Sequence, residues 1–196
     1  MSVVIHEVSH GYAAKLLGDK TAEYQGRLTL NPIRHIDLMG SIIVPMVLYV
    51  MHTGFMVGWA KPVPVNPYNL RHGKWGEVIV SVAGPLSNVI VALFFGLLLR
   101  FVMPSGFLSD ATVSFVATIV SINLALALFN LMPVPPLDGS KILAGILPYR
   151  ARETFLRIEQ NPTLTMVLAF IFIFYIWNFL TPLIPFMFGL ITGAGL

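Results

Sequence analysis

Apolar residues run along this chain in long blocks rather than in the alternation of a half-buried strand or the narrow stripe of a surface helix. Three blocks reach the roughly 20 residues that a bilayer crossing takes, at 78–103, 112–132 and 163–183. A fourth, residues 1–17, is shorter and carries His6, Glu7 and His10 inside it. A fifth, residues 40–57, is interrupted by Pro45, His52 and Gly54, and its cleaner part, 41–51, is too short to cross. It reads as a stretch that dips into lipid and returns. Proline clusters separate the blocks, at Asn31-Pro32, Lys61-Pro62-Val63-Pro64-Val65-Asn66-Pro67 and Pro133-Val134-Pro135-Pro136. Proline at alternate positions favours extended backbone and removes donors. The pattern predicts an all-α polytopic membrane protein with a C-terminal transmembrane helix and a re-entrant or extended segment at about 41–67.

Composition sharpens this picture. Of 196 residues, 56% are hydrophobic and 11% charged, against about 25% charged in soluble domains. The length suits one integral-membrane domain over residues 1–196. The first residues lack a basic region, so no removable signal peptide is expected. With no cysteine there is no disulfide framework and no thiolate for zinc. The net charge is only +3 and no basic stripe is interleaved with aromatics, which excludes nucleic acid as a partner. The cations arbitrate topology. Lys15, Lys20, Arg27 and Arg34 follow the first block, and Lys61, Arg71 and Lys74 follow the ambiguous one. Arg100 stands alone, and Lys141, Arg150, Arg152 and Arg157 come after the block ending near Met132. If 40–57 returns to its starting side, eleven cations face one; if it crosses, the division is nearly even. Positive charge collects on the cytoplasmic side, so the returning arrangement is expected, in a multi-pass protein of the cell membrane.

The candidate chemistry lies in His6-Glu7-Val8-Ser9-His10. On a helix, histidines at i and i+4 project from one face and can grip one zinc ion, while the glutamate beside the first ligand reaches a water there. Ionisable groups inside an apolar block are costly and functional by default. Catalytic zinc usually takes three protein ligands, so a third is needed. Of the four aspartates, Asp19 and Asp37 follow the first helix, where turn roles suffice, and Asp110 falls on the opposite side. Asp138, in Leu137-Asp138-Gly139, exits on the same side as His10. Zn²⁺ with two neutral imidazoles, Asp138 and an ionised Glu7 sums to zero charge, as a low-dielectric site requires.

The stretches HEVSHGYAAKLLGD, GRLTLNPIRHIDLMGSIIVP, GWAKPVPVNP, AGPLSN and NLMPVPPLDG occur in this order from His6 onward. In them the chain resembles the bacterial and archaeal branch of the site-2 protease family of intramembrane zinc metalloproteases. The resemblance implies that His6, His10 and Asp138 bind one zinc ion and that Glu7 is the catalytic base. It implies a three-helix catalytic core carrying HExxH, Gly84-Pro85-Leu86-Ser87-Asn88 and Leu137-Asp138-Gly139. It also implies a transmembrane protein as substrate, cut within the bilayer near its cytoplasmic side, with Asn130 helping to hold the substrate backbone. Members carry an apolar helix ahead of HExxH, so an N-terminal helix is expected to be missing here, where five residues stand.

Other residues leave alternatives open. Asn88 is a buried amide that orients either the substrate or a zinc-site group, or else bonds two helices. His35 and His52 read as interfacial rather than accessory ligands, and His72 as a headgroup-level charge. The Trp59–Pro67 stretch is either an edge on which extended substrate adds as a strand or a plain loop. Two competing functions remain: a catalytically silent scaffold that retains zinc, and a membrane-anchored zincin working in the cytosol through Glu153 or Glu159.

Overall fold

All regular elements among the described residues are helical. The computed structural model describes residues 1–52, 58–103, 106, 109–161, 163–165, 167, 171, 175 and 179–193. The helices are α1 (Ser2–Leu16), α2 (Thr21–Tyr24), α3 (Val44–Val50), α4 (Lys74–Val102), α5 (Asp110–Asn130), α6 (Asp138–Ile146), α7 (Tyr149–Glu159) and α8 (Leu183–Thr192).

At 1.5 Å per residue α4 is about 43 Å long and α5 about 31 Å, each enough for a hydrocarbon core of about 30 Å. They match the blocks at 78–103 and 112–132 within a few residues. Ser109 caps α5, its Oγ accepting the Thr112 N–H at 3.3 Å, and Asp110 in the first turn suits the positive helix end. The crossing expected at 163–183 lies in part outside the described residues.

α4 is the axis of the fold. Along one side it meets α5 through Ala92, Leu99, Val116, Val120 and Leu124, all buried, with Ile184, Met187 and Ile191 of α8 closing over them. Lipid tails are as apolar as leucine, so this contact is held by van der Waals fit rather than by expulsion of water. Near its other end α4 packs against α1 and α6, which carry the polar residues discussed below.

The stretch of uncertain topology is helical over its first part and extended only later. A π-helical turn at Leu38–Ile43 runs into α3. Together they are about 20 Å long, too short to cross. The chain then comes back to where it left. Trp59 N–H donates to Gly40 O at 3.1 Å, Ser41 Oγ donates to Trp59 O at 2.9 Å, and Lys61 N–H donates to His35 O at 2.9 Å. Residues 53–57 lie outside the described residues.

Candidate metal centre

α1 presents His6 and His10 from one face toward α4, both buried, as the i, i+4 spacing dictates. Asp138 is the first residue of α6, directly after the proline-rich turn that ends α5. The His6 and His10 Nε2 atoms lie 3.1 Å apart, and Asp138 Oδ2 is 3.1 Å from the first and 3.3 Å from the second. Two glycines permit this approach. A Cβ on Gly84 would collide with both imidazoles, and a Cβ on Gly139 with the Leu131 and Met132 carbonyls, so any larger residue would push α4 or α6 away.

The outer nitrogens are engaged. His10 Nδ1 lies 2.7 Å from the Val80 carbonyl, which can only accept, so that nitrogen carries the proton and Nε2 a lone pair. His6 Nδ1 lies 2.7 Å from Asn88 Oδ1, also an acceptor, with the same result. Asp138 Oδ2 is buried with no hydrogen-bond donor. Three lone pairs thus face one another with no proton between them, an arrangement that is repulsive without a cation at its centre. The edge of a tetrahedron with bonds of ~2.0–2.1 Å is about 3.3–3.4 Å, close to the observed separations. The residues fit a zinc ion with one corner left open. Among the described residues, these three form the one cluster with metal-ligand spacing.

Glu7 stands beside this cluster and faces a cavity of about 460 Å³ lined by His6, His10, Val63, Asn130 and Lys141, among others. One carboxylate oxygen, Oε2, accepts the Val63 N–H at 2.8 Å. Residues 58–66 form a strap over the site, fastened at both ends. Arg27, itself buried, donates from Nη2 to Lys61 O at 2.7 Å and to Pro62 O at 3.2 Å, and from Nη1 to Arg34 O. Asp19, also buried, accepts Asn66 N–H at 2.7 Å, Asn69 Nδ2 at 3.1 Å and Thr21 N–H at 3.1 Å. Of the two readings left open for this stretch, a strand edge or a plain loop, the hydrogen bonds favour the loop. Lys61 N–H is spent on His35 O, Val63 N–H on Glu7, and Pro62 and Pro64 have none, so positions 61–64 offer an added strand no donor.

Asp19 gives the strap a pH dependence. Burial pushes its carboxyl pKa up, but hydrogen bonds from Thr21, Asn66 and Asn69 outweigh that and hold it below the usual value of 3.8. A carboxylate depressed in the folded state contributes stability above its unfolded pKa and loses it as pH falls through the folded one. Asp19→Asn should therefore cost about 2 kcal/mol at neutral pH, with faster amide exchange at Asn66. The melting curves of variant and wild type should draw together as pH falls below 3.8 and on through the lower folded pKa.

The remaining candidates are placed as follows. Asn88, left open between the substrate, a zinc-site group and a helix–helix bond, is fully buried, and its amide bonds His6 and Asn123, as the last two readings have it. Asn130 lines the cavity, with Nδ2 donating to Leu126 O at 2.9 Å. His35 Nε2 donates to Thr29 O at 2.8 Å, and His52 is exposed; neither joins the cluster. His72 is exposed at the entry to α4. Asp37 caps the π-helical turn through Gly40 N–H. Glu153 pairs with Arg157 at 2.6 Å on the surface, whereas Glu159 reaches the cavity wall without joining the histidines. Sequence reasoning missed Asn123, Arg27 and the Val63 amide. Asn123 alone carried a signal, a lone amide within an apolar crossing.

Two histidines of an HExxH helix and the first residue of α6 at metal-ligand spacing, among helices able to span a bilayer, are the features of a membrane zinc peptidase. Comparison with known proteins agrees. Residues 103–174 match peptidase family M50. The whole chain aligns with "Putative zinc metalloprotease YwhC" of Bacillus subtilis at 36% identity, covering 84% of that protein. Rip2 of Mycobacterium tuberculosis, named in the same terms, is 30% identical over 93% of this chain and 64% of its own length. "Zinc metalloprotease MJ0392" of Methanocaldococcus jannaschii is 29% identical over 75% of this chain and 32% of its own. No solved structure matches. The chain belongs to peptidase family M50, the site-2 protease family, and is a zinc metalloprotease.

Proposed function

We propose that this protease hydrolyses peptide bonds within or near transmembrane segments of membrane proteins, at a site below the cytoplasmic surface of the cell membrane. The observation that carries this reading is the depth of the triad. His10 bonds Val80 and both imidazoles rest on Gly84, which lie about 9 and 15 Å along α4 from Lys74. Arg71, Lys141, Arg150 and Arg152 gather at that end in sequence or in packing, as cytoplasmic flanks do.

In this reading His6, His10 and Asp138 hold the zinc. Held there, zinc would supply Lewis-acid chemistry, lowering the pKa of a water and polarising a substrate carbonyl. Glu7 takes the water's proton and returns it to the leaving nitrogen. The Val63 N–H fixes one Glu7 oxygen and so aims the other at the site. Val80 and Asn88 hold the imidazole rings by their outer nitrogens. Asn130 on the cavity wall supports the substrate backbone, and the strap with Leu156 shields the site.

A carbonyl inside a helix is hydrogen-bonded and hidden, so the substrate span must unwind before it is cut. Reconstitution in liposomes tests this. A transmembrane peptide with an Asn-Gly pair at the depth of the triad should be cleaved within its span, and an all-leucine span should be spared, as read by mass spectrometry. Cleavage confined to water-soluble peptides, with both spans intact, would instead favour a cytosolic-facing enzyme.

A further inference from the structure

We infer that Asn123 of α5, which is not part of the cavity wall, is a positioning residue for the metal site: acting through Asn88, it dictates which nitrogen of His6 carries the proton. The inference rests on the assignment of His6 as a zinc ligand.

It follows from a chain of forced choices. Asn123 is fully buried, and one terminal atom of its amide lies 2.8 Å from the Ile119 carbonyl. A carbonyl only accepts, so that atom is the nitrogen, which also donates to Ser2 Oγ at 2.9 Å. The Asn123 oxygen therefore faces α4, where it accepts from Asn88 Nδ2 at 2.8 Å. With its nitrogen committed there, Asn88 must turn its oxygen to His6 Nδ1, 2.7 Å away. An amide oxygen cannot donate, so Nδ1 holds the proton and the Nε2 lone pair faces Asp138 and His10. Turning either amide over would set donor against donor or acceptor against acceptor in a buried place.

The two histidines are thus held by different means. His10 has a backbone carbonyl, Val80 O, which can present only an acceptor. His6 has only a side-chain amide, which could present either face; Asn123, accepting at 2.8 Å, removes that freedom, seconded by a longer 3.4 Å contact from Asn88 Nδ2 to Ser2 O. A merely structural role, gluing α4 to α5, would need the amide pair but would be indifferent to its orientation.

The two roles separate in zinc affinity, measured on the full chain in detergent by competition with a chromophoric chelator. Asn123→Leu should weaken zinc binding about 10–100-fold, the usual cost of losing an outer partner of a ligand. Adding Asn88→Asp should restore affinity to within a few-fold of wild type, because a carboxylate offers an acceptor whichever way it turns. Wild-type affinity in Asn123→Leu, or no recovery in the double variant, would overturn the inference. Nitrogen-15 spectra of labelled histidine in the metal-free wild type give a readout independent of whether the variants fold. His6, assigned by its loss in His6→Ala, should be the Nδ1–H tautomer, and an Nε2–H tautomer would overturn the inference equally. If His6→Ala itself leaves zinc affinity unchanged, the ligand assignment fails first and the relay loses its target.

Discussion

Replacing Glu7 by Gln should leave zinc content and fold intact and lower cleavage by about 10³-fold or more, the scale of a lost general base. The substitution is nearly isosteric. The glutamine oxygen can still accept the Val63 N–H that Glu7 Oε2 accepts at 2.8 Å, so the strap keeps its anchor. That same orientation turns the amide NH₂ toward the site, and an amide nitrogen takes no proton. The loss should therefore fall on the rate of the chemical step, with binding of substrate little changed. Metal analysis beside a cleavage assay checks both halves. Full activity in Glu7→Gln would remove the carboxylate from the mechanism, whereas a wild type that binds zinc and cuts nothing would favour the silent scaffold.

The two helices long enough to span and the pairing of two histidines on one face were legible because they are local. Residues 78–103 and 112–132 are uninterrupted enough that length alone decides them, and His6 and His10 share a helical face by spacing. Asp138, which lies against both rings, was reachable by a longer route, through a charge bias that argued for which loops share a side. What escaped was tertiary. Asn88 and Asn123 lie 35 positions apart, and no periodicity states that two amides on different helices meet. Read singly, each has several partners available, which is why Asn88 could be assigned to the substrate. Arg27 and Asp19 look like ordinary loop charges until the chain folds back to place backbone of residues 61–66 against them. For the strap, sequence left a strand edge and a plain loop equally open. Its prolines were legible as missing donors, yet where the remaining N–H groups would go depended on Glu7 and His35, each more than twenty residues away.

These contacts change how the catalytic motif is understood. HExxH on a short helix supplies two rings and a carboxylate but fixes none of them. Val80 and Asn88 of α4 set the rings, the strap sets the glutamate, and α6 brings Asp138 against both rings. α4 touches both rings, and Pro85 sits beside Gly84 where they rest. A proline lacks the N–H for the preceding turn, so that turn of α4 already departs from a closed hydrogen-bond ladder.

Loss of Asp138, the proposed third ligand, should have the largest effect on metal. Asp138→Ala leaves two imidazole lone pairs, His6 Nε2 and His10 Nε2, 3.1 Å apart with no anion between them. Zinc affinity should fall by more than the ~10–100-fold that an outer partner costs, and activity should vanish with it. A second measurement identifies the cause. A metal that binds only the folded state stabilises it by mass action, so a chelator should lower the melting temperature of the wild type. It should leave Asp138→Ala nearly unmoved, because that variant holds little zinc to lose. The variant's own stability need not suffer equally. In the metal-free wild type, Asp138 Oδ2 is a buried acceptor without a donor, and alanine removes that unmet group along with the charge. Metal-free wild type and metal-free variant should then melt close together, while only the wild type rises when zinc is added. A variant that still rises with zinc by the same amount would show that the carboxylate beside the two rings is not what holds the ion.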